Sequence, residues 1–219
     1  MKVVLFGASG MVGQGVLREC LLDGDVETVL SVGRRPLDQR HPKLKEIVRD
    51  DLIDLSPIAS ELAGYDACFF CLGVSSVGMS EQDYRRITYD LTLAVAKTLA
   101  RLNPGMVFVY VTGAGTDSSE RGRRMWARVK GKTENDLQKL PFKAAYMFRP
   151  AGIQPLHGIR SRTAWYQAAY VVTAPLLSLL TRIAPKYMTT TEQMGRAMIA
   201  VARWGYPRPV LESEDINRL

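Results

Sequence analysis

Three evenly spaced glycines follow the first apolar run and constrain the fold more than any other feature of the chain. The run KVVLF (2–6) leads into Gly7, Gly10 and Gly13, and MVGQGVLRECLL (11–22) follows with helical periodicity. Glycine permits the tight turn, lets backbone N–H groups approach a pyrophosphate, and packs the helix against the strand. This order predicts a dinucleotide site. The loop residues that we expect to contact the cofactor are Gly7, Ser9, Gly10, Met11 and Val12.

Short apolar runs alternate with amphipathic stretches as far as about residue 150. We predict strands at 2–6, 28–33, 45–51, 66–73, 106–113 and 143–150, and helices at 11–22, 83–102 and 121–139. Short apolar strands separated by helices imply a parallel sheet covered on both faces, with right-handed crossovers. The pattern therefore predicts an α/β, doubly wound parallel sheet of the Rossmann type. Its ligand crevice should lie at the carboxyl ends of the strands.

The length of 219 residues suits one α/β domain that spans 1–219. No Pro/Gly/Ser-rich run marks a linker. The apolar run Val3 to Phe6 is too short for a signal peptide, so with three cysteines we expect a cytoplasmic protein with free thiols.

The chain is basic, with 29 Lys and Arg against 22 Asp and Glu. Basic proteins bind nucleic acid, membranes or anionic metabolites, so the sign alone does not select a partner. No helix-turn-helix, zinc finger or aromatic platform is recognisable, and we expect no nucleic-acid partner. We also predict no metal site, because His41 and His157 are the only histidines and no second cysteine pair accompanies Cys68 and Cys71. These two cysteines lie in an apolar strand pattern and should point to opposite faces as buried thiols.

Two adjacent arginines, Arg34 and Arg35, end the second predicted strand. A site for NAD usually has Asp or Glu here, which accepts a hydrogen bond from the ribose 2′-hydroxyl. Arginines instead bind a 2′-phosphate through charge-assisted hydrogen bonds. The pair therefore favours NADP(H) over NAD(H), with two solvated surface arginines as the alternative.

The third and fourth strands also end in candidate cofactor contacts. Asp51 and Leu52 follow the third strand and would flank the adenine, and Leu72 and Gly73 follow the fourth, beside the adenine-side ribose. A purely structural role for these four residues stays open as the alternative.

The most apolar segment of the chain, 163–184, comes late. Its uncharged stretch, 164–181, is almost long enough to cross a membrane, but Pro175 at mid-span favours a broken pair of helices. We expect 154–190 to form a helical lid over the substrate or an oligomer interface within the single domain. Contact of 164–181 with a membrane surface is the alternative.

Motifs along most of the chain resemble the extended or atypical branch of the short-chain dehydrogenase/reductase family. They are GASGMVGQG (7–15), VGRR (32–35), DDL (50–52), CLG (71–73), YVTGAG (110–115), VKGKTE (129–134) and FRPAGI (148–153). The chain is especially similar to the NAD(P)-binding proteins grouped with epimerase/dehydratases and with the Tat-interacting-protein oxidoreductases. The resemblance implies a Rossmann domain, a nicotinamide cofactor that also contacts Pro150 and Ile153, and a substrate pocket built largely after FRPAGI.

Catalysis in that family rests on Ser or Thr, Tyr and Lys. Carried over by position, Lys130 matches the lysine, Thr112 or its neighbour Gly113 falls near the serine, and Trp126 takes the place of the tyrosine. An indole N–H can orient a carbonyl but has no pKa suited to proton transfer. No tyrosine of the chain has a lysine four residues later. Tyr166 or Tyr170, on the predicted lid, is the alternative source of a hydroxyl.

Two functions follow from these motifs. One is an NADP(H)-dependent oxidoreductase, or an epimerase/dehydratase-like enzyme, with a non-standard proton donor and a small carbonyl or alcohol substrate. The other is a dinucleotide-binding regulator or assembly factor without chemistry, whose partner is an effector. The pocket should draw on 112–116, 153–157 and the lid at 165–170, with His157 as a further hydrogen-bond donor.

Overall fold

A single parallel sheet organises the computed structural model of the protein, which describes residues 1–159 and 186–219. The strands β1 to β9 in these residues are Lys2–Phe6, Thr28–Gly33, Leu44–Val48, Ala67–Phe70, Val107–Val111, Ala144–Arg149, Gly152–Gln154, Met188–Thr190 and Val210–Glu212. Seven strands pair in parallel in the order β3-β2-β1-β4-β5-β6-β9, and β7 pairs with β8 in a small parallel sheet. The predicted doubly wound fold is confirmed. The strand order reverses between β1 and β4, where this fold opens its ligand crevice.

Helices cover both faces of the sheet. In the described residues α1 to α6 are Met11–Leu22, Glu81–Arg85, Leu91–Leu102, Met125–Leu137, Thr191–Trp204 and Ser213–Ile216. A short 3₁₀ helix spans Ser56–Ile58, and a π-helical turn at Arg86–Asp90 joins α2 to α3.

The hydrophobic core lies on both sides of β1, a central strand that is buried from Val3 to Phe6. Val3 and Leu5 pack on one side with residues of α1 and α5, whereas Val4 and Phe6 pack on the other side with residues of α3. All four side chains are 0% exposed. Alternation of side chains along a strand explains why an unbroken apolar run is needed here.

Helix α5 crosses α1 at two glycines. A Cβ on Gly15 would lie 2.5 Å from the main-chain oxygen of Thr191, and a Cβ on Gly195 would lie 2.7 Å from Cγ of Glu19. Only glycine leaves room for backbones this close. The C-terminal part of the chain thereby packs directly against the helix that follows the glycine loop.

The structure corrects several predicted boundaries. The helix predicted at 83–102 starts two residues earlier, after Ser80, whose hydroxyl accepts a hydrogen bond from the Asp83 N–H at 3.1 Å. The helix predicted at 121–139 begins only at Met125. The Asp117 carboxylate holds the preceding residues in a loop by accepting the Gly122 N–H at 2.6 Å.

The segment predicted as a helical lid, 154–190, is extended at both ends. Gln154 ends β7, and Met188–Thr190 form β8, which pairs with it. Its apolar centre, 164–181, with Tyr166 and Tyr170, lies outside the described residues. No helix within 1–159 or 186–219 has the length and apolar character needed to cross a membrane.

The two cysteines point to opposite faces as predicted, with Cys68 buried and Cys71 half-buried. Cys68, in β4, packs in the core on the α3 side, whereas Cys71, just after β4, packs on the α1 side. Both thiols are free, and burial raises the pKa of each well above its usual value. A redox role for this pair is therefore disfavoured, because the reactive form is the thiolate.

Candidate functional site

The glycine loop lies at the carboxyl edge of the sheet, between the ends of β1 and β4. Gly7 has φ of 82°, and a Cβ on it would lie 2.7 Å from the Leu72 nitrogen. A Cβ on Gly13 would lie 2.0 Å from the Gly7 oxygen, and the Gly10 N–H donates to that same oxygen at 2.9 Å. Gly7 and Gly13 thus each meet a separate steric requirement, and with Gly10 they form a cradle without side chains.

The N-terminus of α1 opens directly onto this cradle. Its N-cap residue, Gly10, supplies no side-chain cap, and the first turn carries no acidic residue. The free N–H groups and the positive end of the helix dipole therefore face outward without a competing carboxylate. This arrangement suits a pyrophosphate, and Ser9, Met11 and Val12 stand half-buried around it.

The arginine pair lies beside the same loop. Phe6 of β1 pairs with Val32 of β2, so Gly7 and Gly33 leave the sheet side by side, and Arg34 and Arg35 follow at once. Both arginines are exposed. Neither has a hydrogen bond or ion pair with another residue in the part of the chain that the structure describes. Their guanidinium groups are thus uncommitted within reach of the cradle.

The residues after β3 and β4 reach the same edge but differ in what they offer. The Asp51 carboxylate accepts the Ile53 N–H at 2.8 Å in a local turn and is otherwise exposed. Leu52 is 3% exposed and packs in the core with Leu72, so its burial supports the structural role. A Cβ on Gly73 would have no atom within 4 Å, so this position is open.

Helix α4 presents Trp126 and Lys130 to the loop that follows β5. Nζ of Lys130 donates a hydrogen bond to the main-chain oxygen of Thr112 at 2.8 Å. Cη2 of Trp126 lies 3.6 Å from the position of a Cβ on Gly115. The two side chains are one helical turn apart and both reach this loop, which is the relation that the sequence resemblance implied.

Burial changes the acid–base behaviour of Lys130. It lowers the pKa of the ammonium from 10.5 to about 8, and the negative charge of Glu134 acts in the opposite direction. A lysine with such a pKa can release and regain a proton near neutral pH, unlike a solvated lysine. Lys130 is therefore the described residue at this edge best suited to proton transfer.

The Thr112 hydroxyl, which was predicted as a catalytic group, is engaged by other residues of the protein in this structure. This hydroxyl is buried and donates its single proton to Oε1 of Glu134 at 2.6 Å. It also lies 3.2 Å from the main-chain oxygen of Phe148. Since a hydroxyl has one proton to donate, it has none for a substrate carbonyl. The neighbouring candidate, Gly113, has no side chain.

A buried ion pair that the sequence motifs did not predict completes the site. Glu134 is 0% exposed and accepts hydrogen bonds from Nε of Arg149 at 3.0 and 3.1 Å. Arg149, at the end of β6, also donates to the Ser118 hydroxyl at 2.5 Å. A usable signal existed, because Glu134 stands four residues after Lys130, on the same helix face.

The last predicted site residues lie around β7. Pro150 is buried and accepts the Ala114 N–H at 3.0 Å, and Ile153 packs against the core beside α1 and α5. Nε2 of His157 lies 2.6 Å from Oε2 of Glu192, and Arg196 binds the other oxygen of that carboxylate at 2.7 Å. His157 is therefore engaged in a hydrogen-bond network with Glu192, which Arg196 also binds. Among the described residues no group of three His, Cys, Asp or Glu side chains converges as a metal site would require.

Comparison with known sequences finds remote relatives. The mitochondrial protein FMP52 of Debaryomyces hansenii is 28% identical over 156 residues, which cover 70% of this chain and 67% of that protein. The protein HTATIP2 of Rattus norvegicus is 28% identical over 151 residues, or 68% of this chain. The match spans 61% of the rat protein, less than two thirds of its length. No protein-family model matches the chain.

Solved structures show the same fold. A short-chain dehydrogenase family protein from Francisella tularensis superposes with a TM-score of 0.68 over 98% of both chains, at 12% identity. The enzyme WbmF of Bordetella bronchiseptica, solved with NAD⁺, superposes with a TM-score of 0.68 over 99% of this chain and 76% of its own, at 15% identity. Together with the sequence relatives, these structures confirm the resemblance to the short-chain dehydrogenase/reductases.

Proposed function

We propose that this chain, a protein with the sequence resemblance and the fold of short-chain dehydrogenase/reductases, binds NADP(H) and reduces or forms a small carbonyl compound. The observation that carries the proposal is the common edge of the sheet at which the side-chain-free cradle, the uncommitted arginine pair and Lys130 all lie. Each of these features suits a different part of one dinucleotide.

Binding of the dinucleotide rests on the fit between the cradle and a pyrophosphate. A Cβ at Gly7 or Gly13 would overlap neighbouring backbone atoms and push the loop out of this shape, and the first turn of α1 directs free N–H groups toward the cradle. The WbmF structure with NAD⁺ supports a cofactor of this class, on the same fold.

Preference for NADP(H) rests on Arg34 and Arg35. A ribose 2′-phosphate beside them would replace water around two exposed guanidinium groups with charge-assisted, partly bidentate hydrogen bonds. NAD(H) offers no anion at this position and would gain nothing from the pair. The discrimination therefore comes from residues that have no other partner in the described chain.

Lys130 would have two tasks in the reaction. Its ammonium, held at Thr112, would bind the nicotinamide ribose and donate a proton to the substrate oxygen. The hydride for the carbonyl carbon would come from bound NADPH, which would be oxidised, and the proton from Lys130 would complete the alcohol. Neutral Lys130 then regains a proton from water, which a pKa of about 8 permits near neutral pH. Trp126 would orient the substrate through its indole N–H.

NADPH oxidation across a panel of small aldehydes and ketones tests this function. Lys130→Ala should abolish turnover, whereas Lys97→Ala, an exposed lysine on α3, should leave it unchanged. Turnover that survives Lys130→Ala would exclude the assigned proton donor. Calorimetric titration of both variants with NADPH separates loss of binding from loss of chemistry.

A second function, binding of NADP(H) without chemistry, is favoured by a different observation. The tyrosine position holds Trp126, and the Thr112 hydroxyl is bonded to Glu134, so in residues 1–159 and 186–219 two of the family's three catalytic groups have no free counterpart at these positions. A protein that reads the cofactor's state, as a regulator or assembly factor, needs only binding. NADPH binding by calorimetry, with no oxidation of any substrate in the panel, would favour this function over the first.

The cytoplasmic location and the oligomer contact remain proposals. The name of the Debaryomyces hansenii relative places that protein in mitochondria. Fractionation of cells that produce the full chain tests the location.

Light scattering of the purified protein tests the oligomer. Sedimentation with acidic vesicles tests membrane contact by 164–181, and absence of binding at low salt would remove that proposal.

A further inference from the structure

The buried carboxylate of Glu134 connects helix α4, which carries Lys130, to the ends of two neighbouring strands. It accepts the Thr112 hydroxyl at 2.6 Å and Nε of Arg149 at 3.0 and 3.1 Å. These partners come from the ends of β5 and β6, and Glu134 itself lies on α4. A fully buried carboxylate is costly unless each of its oxygens is satisfied, so this network specifies one geometry.

Thr112 is the shared member of the two interactions. Its side chain is held by Glu134, while its main-chain oxygen accepts the Lys130 ammonium at 2.8 Å. Its N–H also donates to the Phe148 oxygen at 2.8 Å, which continues the pairing of β5 with β6. Thr112 is thus fixed on three sides, and the position of Lys130 follows from it.

We propose that Glu134 is a positioning residue for Lys130. Glu134 acts through Thr112 and determines where the Lys130 ammonium lies and how strongly it binds its proton. The inference rests on the proposed function of Lys130 as the group that binds the nicotinamide ribose and supplies the proton. The roles of the absent tyrosine and of the engaged Thr112 hydroxyl thereby fall to Lys130, whose position Glu134 fixes.

The charges around Lys130 determine in which direction the pKa of Lys130 should change when Glu134 is replaced. Burial favours the neutral amine, and Glu134 is the charged group that opposes this effect. Arg149 faces Glu134 from β6, and Glu212, beyond it, lies 3.9 Å from the Arg149 guanidinium. Replacing Glu134 by neutral glutamine removes the stabilising charge and leaves Arg149 in place. The pKa of Lys130 should therefore fall further.

A purely structural ion pair between Glu134 and Arg149 predicts a different result. In that case Glu134→Gln lowers the stability of the fold, but the proton affinity of Lys130 stays as it was. The measurement must consequently report on Lys130 itself, in a folded protein.

Competitive labelling with acetic anhydride reports the proton affinity of Lys130 without any cofactor. The acetylation of Lys130, quantified by mass spectrometry between about pH 6 and 11, rises as the amine is deprotonated. Glu134→Gln should shift the midpoint to lower pH and raise the labelling at neutral pH about threefold or more. Thr112→Ser, which keeps the hydroxyl, should match the wild type, whereas Thr112→Val should alter the midpoint. Unchanged midpoints in Glu134→Gln and Thr112→Val, with melting curves that show folded protein, would overturn the inference.

Calorimetry with two ligands separates this inference from the function on which it rests. Adenosine 2′,5′-bisphosphate carries the groups that the cradle and arginines would bind, but no nicotinamide ribose for Lys130. We expect Glu134→Gln to weaken NADPH binding about fivefold to tenfold and to leave the fragment's affinity unchanged. A wild type that binds neither ligand would contradict the proposed function. Fragment binding with equal NADPH affinity in wild type and variant would contradict the role of Glu134 alone.

Discussion

The Lys130 ammonium donates a hydrogen bond to the main-chain oxygen of Thr112 at 2.8 Å, in a site where its pKa falls to about 8. A main-chain oxygen carries only a partial charge, so it compensates burial of a cation incompletely. The protein therefore retains, at neutral pH, a charge that its fold disfavours. Such a conflict is typical of residues kept for chemistry.

This conflict predicts how stability depends on pH. The folded pKa of about 8 lies below the unfolded value of 10.5, so between them the unfolded state binds one more proton. The penalty is fully present below about pH 8 and is relieved as the pH rises toward 10.5. Lys130→Met should therefore raise the free energy of unfolding at pH 7 by about 1–3 kcal/mol. Chemical denaturation at several pH values checks this, and an advantage of the variant that persists at high pH would contradict it.

The arginine pair predicts cofactor preference. Arg34→Ala with Arg35→Ala should weaken NADPH binding at least about tenfold, or about 1.4 kcal/mol, because a charge-assisted contact to the 2′-phosphate is lost. NADH binding should not change. Lys97→Ala with Arg101→Ala, at two exposed cations of α3, is the control for the same loss of two charges. Equal loss for both cofactors, measured by calorimetry, would argue against recognition of the 2′-phosphate.

The approach of α4 to the loop at Asp117 predicts a steric effect at Gly131. A Cβ there would lie 1.8 Å from the main-chain oxygen of Asp117. Gly131→Ala should therefore destabilise the fold by about 2–3 kcal/mol, although alanine has the better helix propensity. Gly105→Ala is the matched control, because a Cβ there has no atom within 4 Å. Thermal unfolding of both variants makes the comparison. Equal melting temperatures would show that the loop does not pack as described.

The substitution Trp126→Tyr tests how much a general acid at this position would raise the reaction rate. A phenol one turn before Lys130 would provide a titratable hydroxyl, and general acid catalysis contributes about 10²-fold to 10⁴-fold. On any carbonyl that the wild type reduces, we expect Trp126→Tyr to raise the rate about tenfold or more. Trp126→Phe, an aromatic residue without a hydroxyl, should not. Equal rates for both variants would indicate that this position does not face the substrate.

The sequence predicted the first six strands because a buried parallel strand needs an unbroken apolar run, which can be recognised without tertiary contacts. It did not predict β9 or helix α5. The strand Val210–Glu212 has only three residues and is stabilised by its register with β6. The helix Thr191–Trp204 owes its place to the glycine crossing with α1, and that crossing depends on residues far apart in the chain.

In the site, position along the chain predicted which edge Lys130 reaches but not which group the Thr112 hydroxyl contacts. Lys130 reaches the expected edge, since its helix must follow the fifth strand. The direction of the Thr112 hydroxyl depends on which buried acceptor lies nearest, and that acceptor is on another element. No local pattern contains this information.

The amino-acid sequence by itself determined the layered sheet, the glycine cradle and the arrival of two arginines and a lysine at one edge. Strand periodicity and glycine sterics are local properties, so they can be read residue by residue. Only the tertiary structure decided the hydrogen-bond partners and the proton affinity of the side chains at that edge. Burial and partners on distant elements, such as Glu134 and Arg149, turn the Thr112 hydroxyl inward and let Lys130 lose its proton easily. The arginine pair stays free because no described residue binds it.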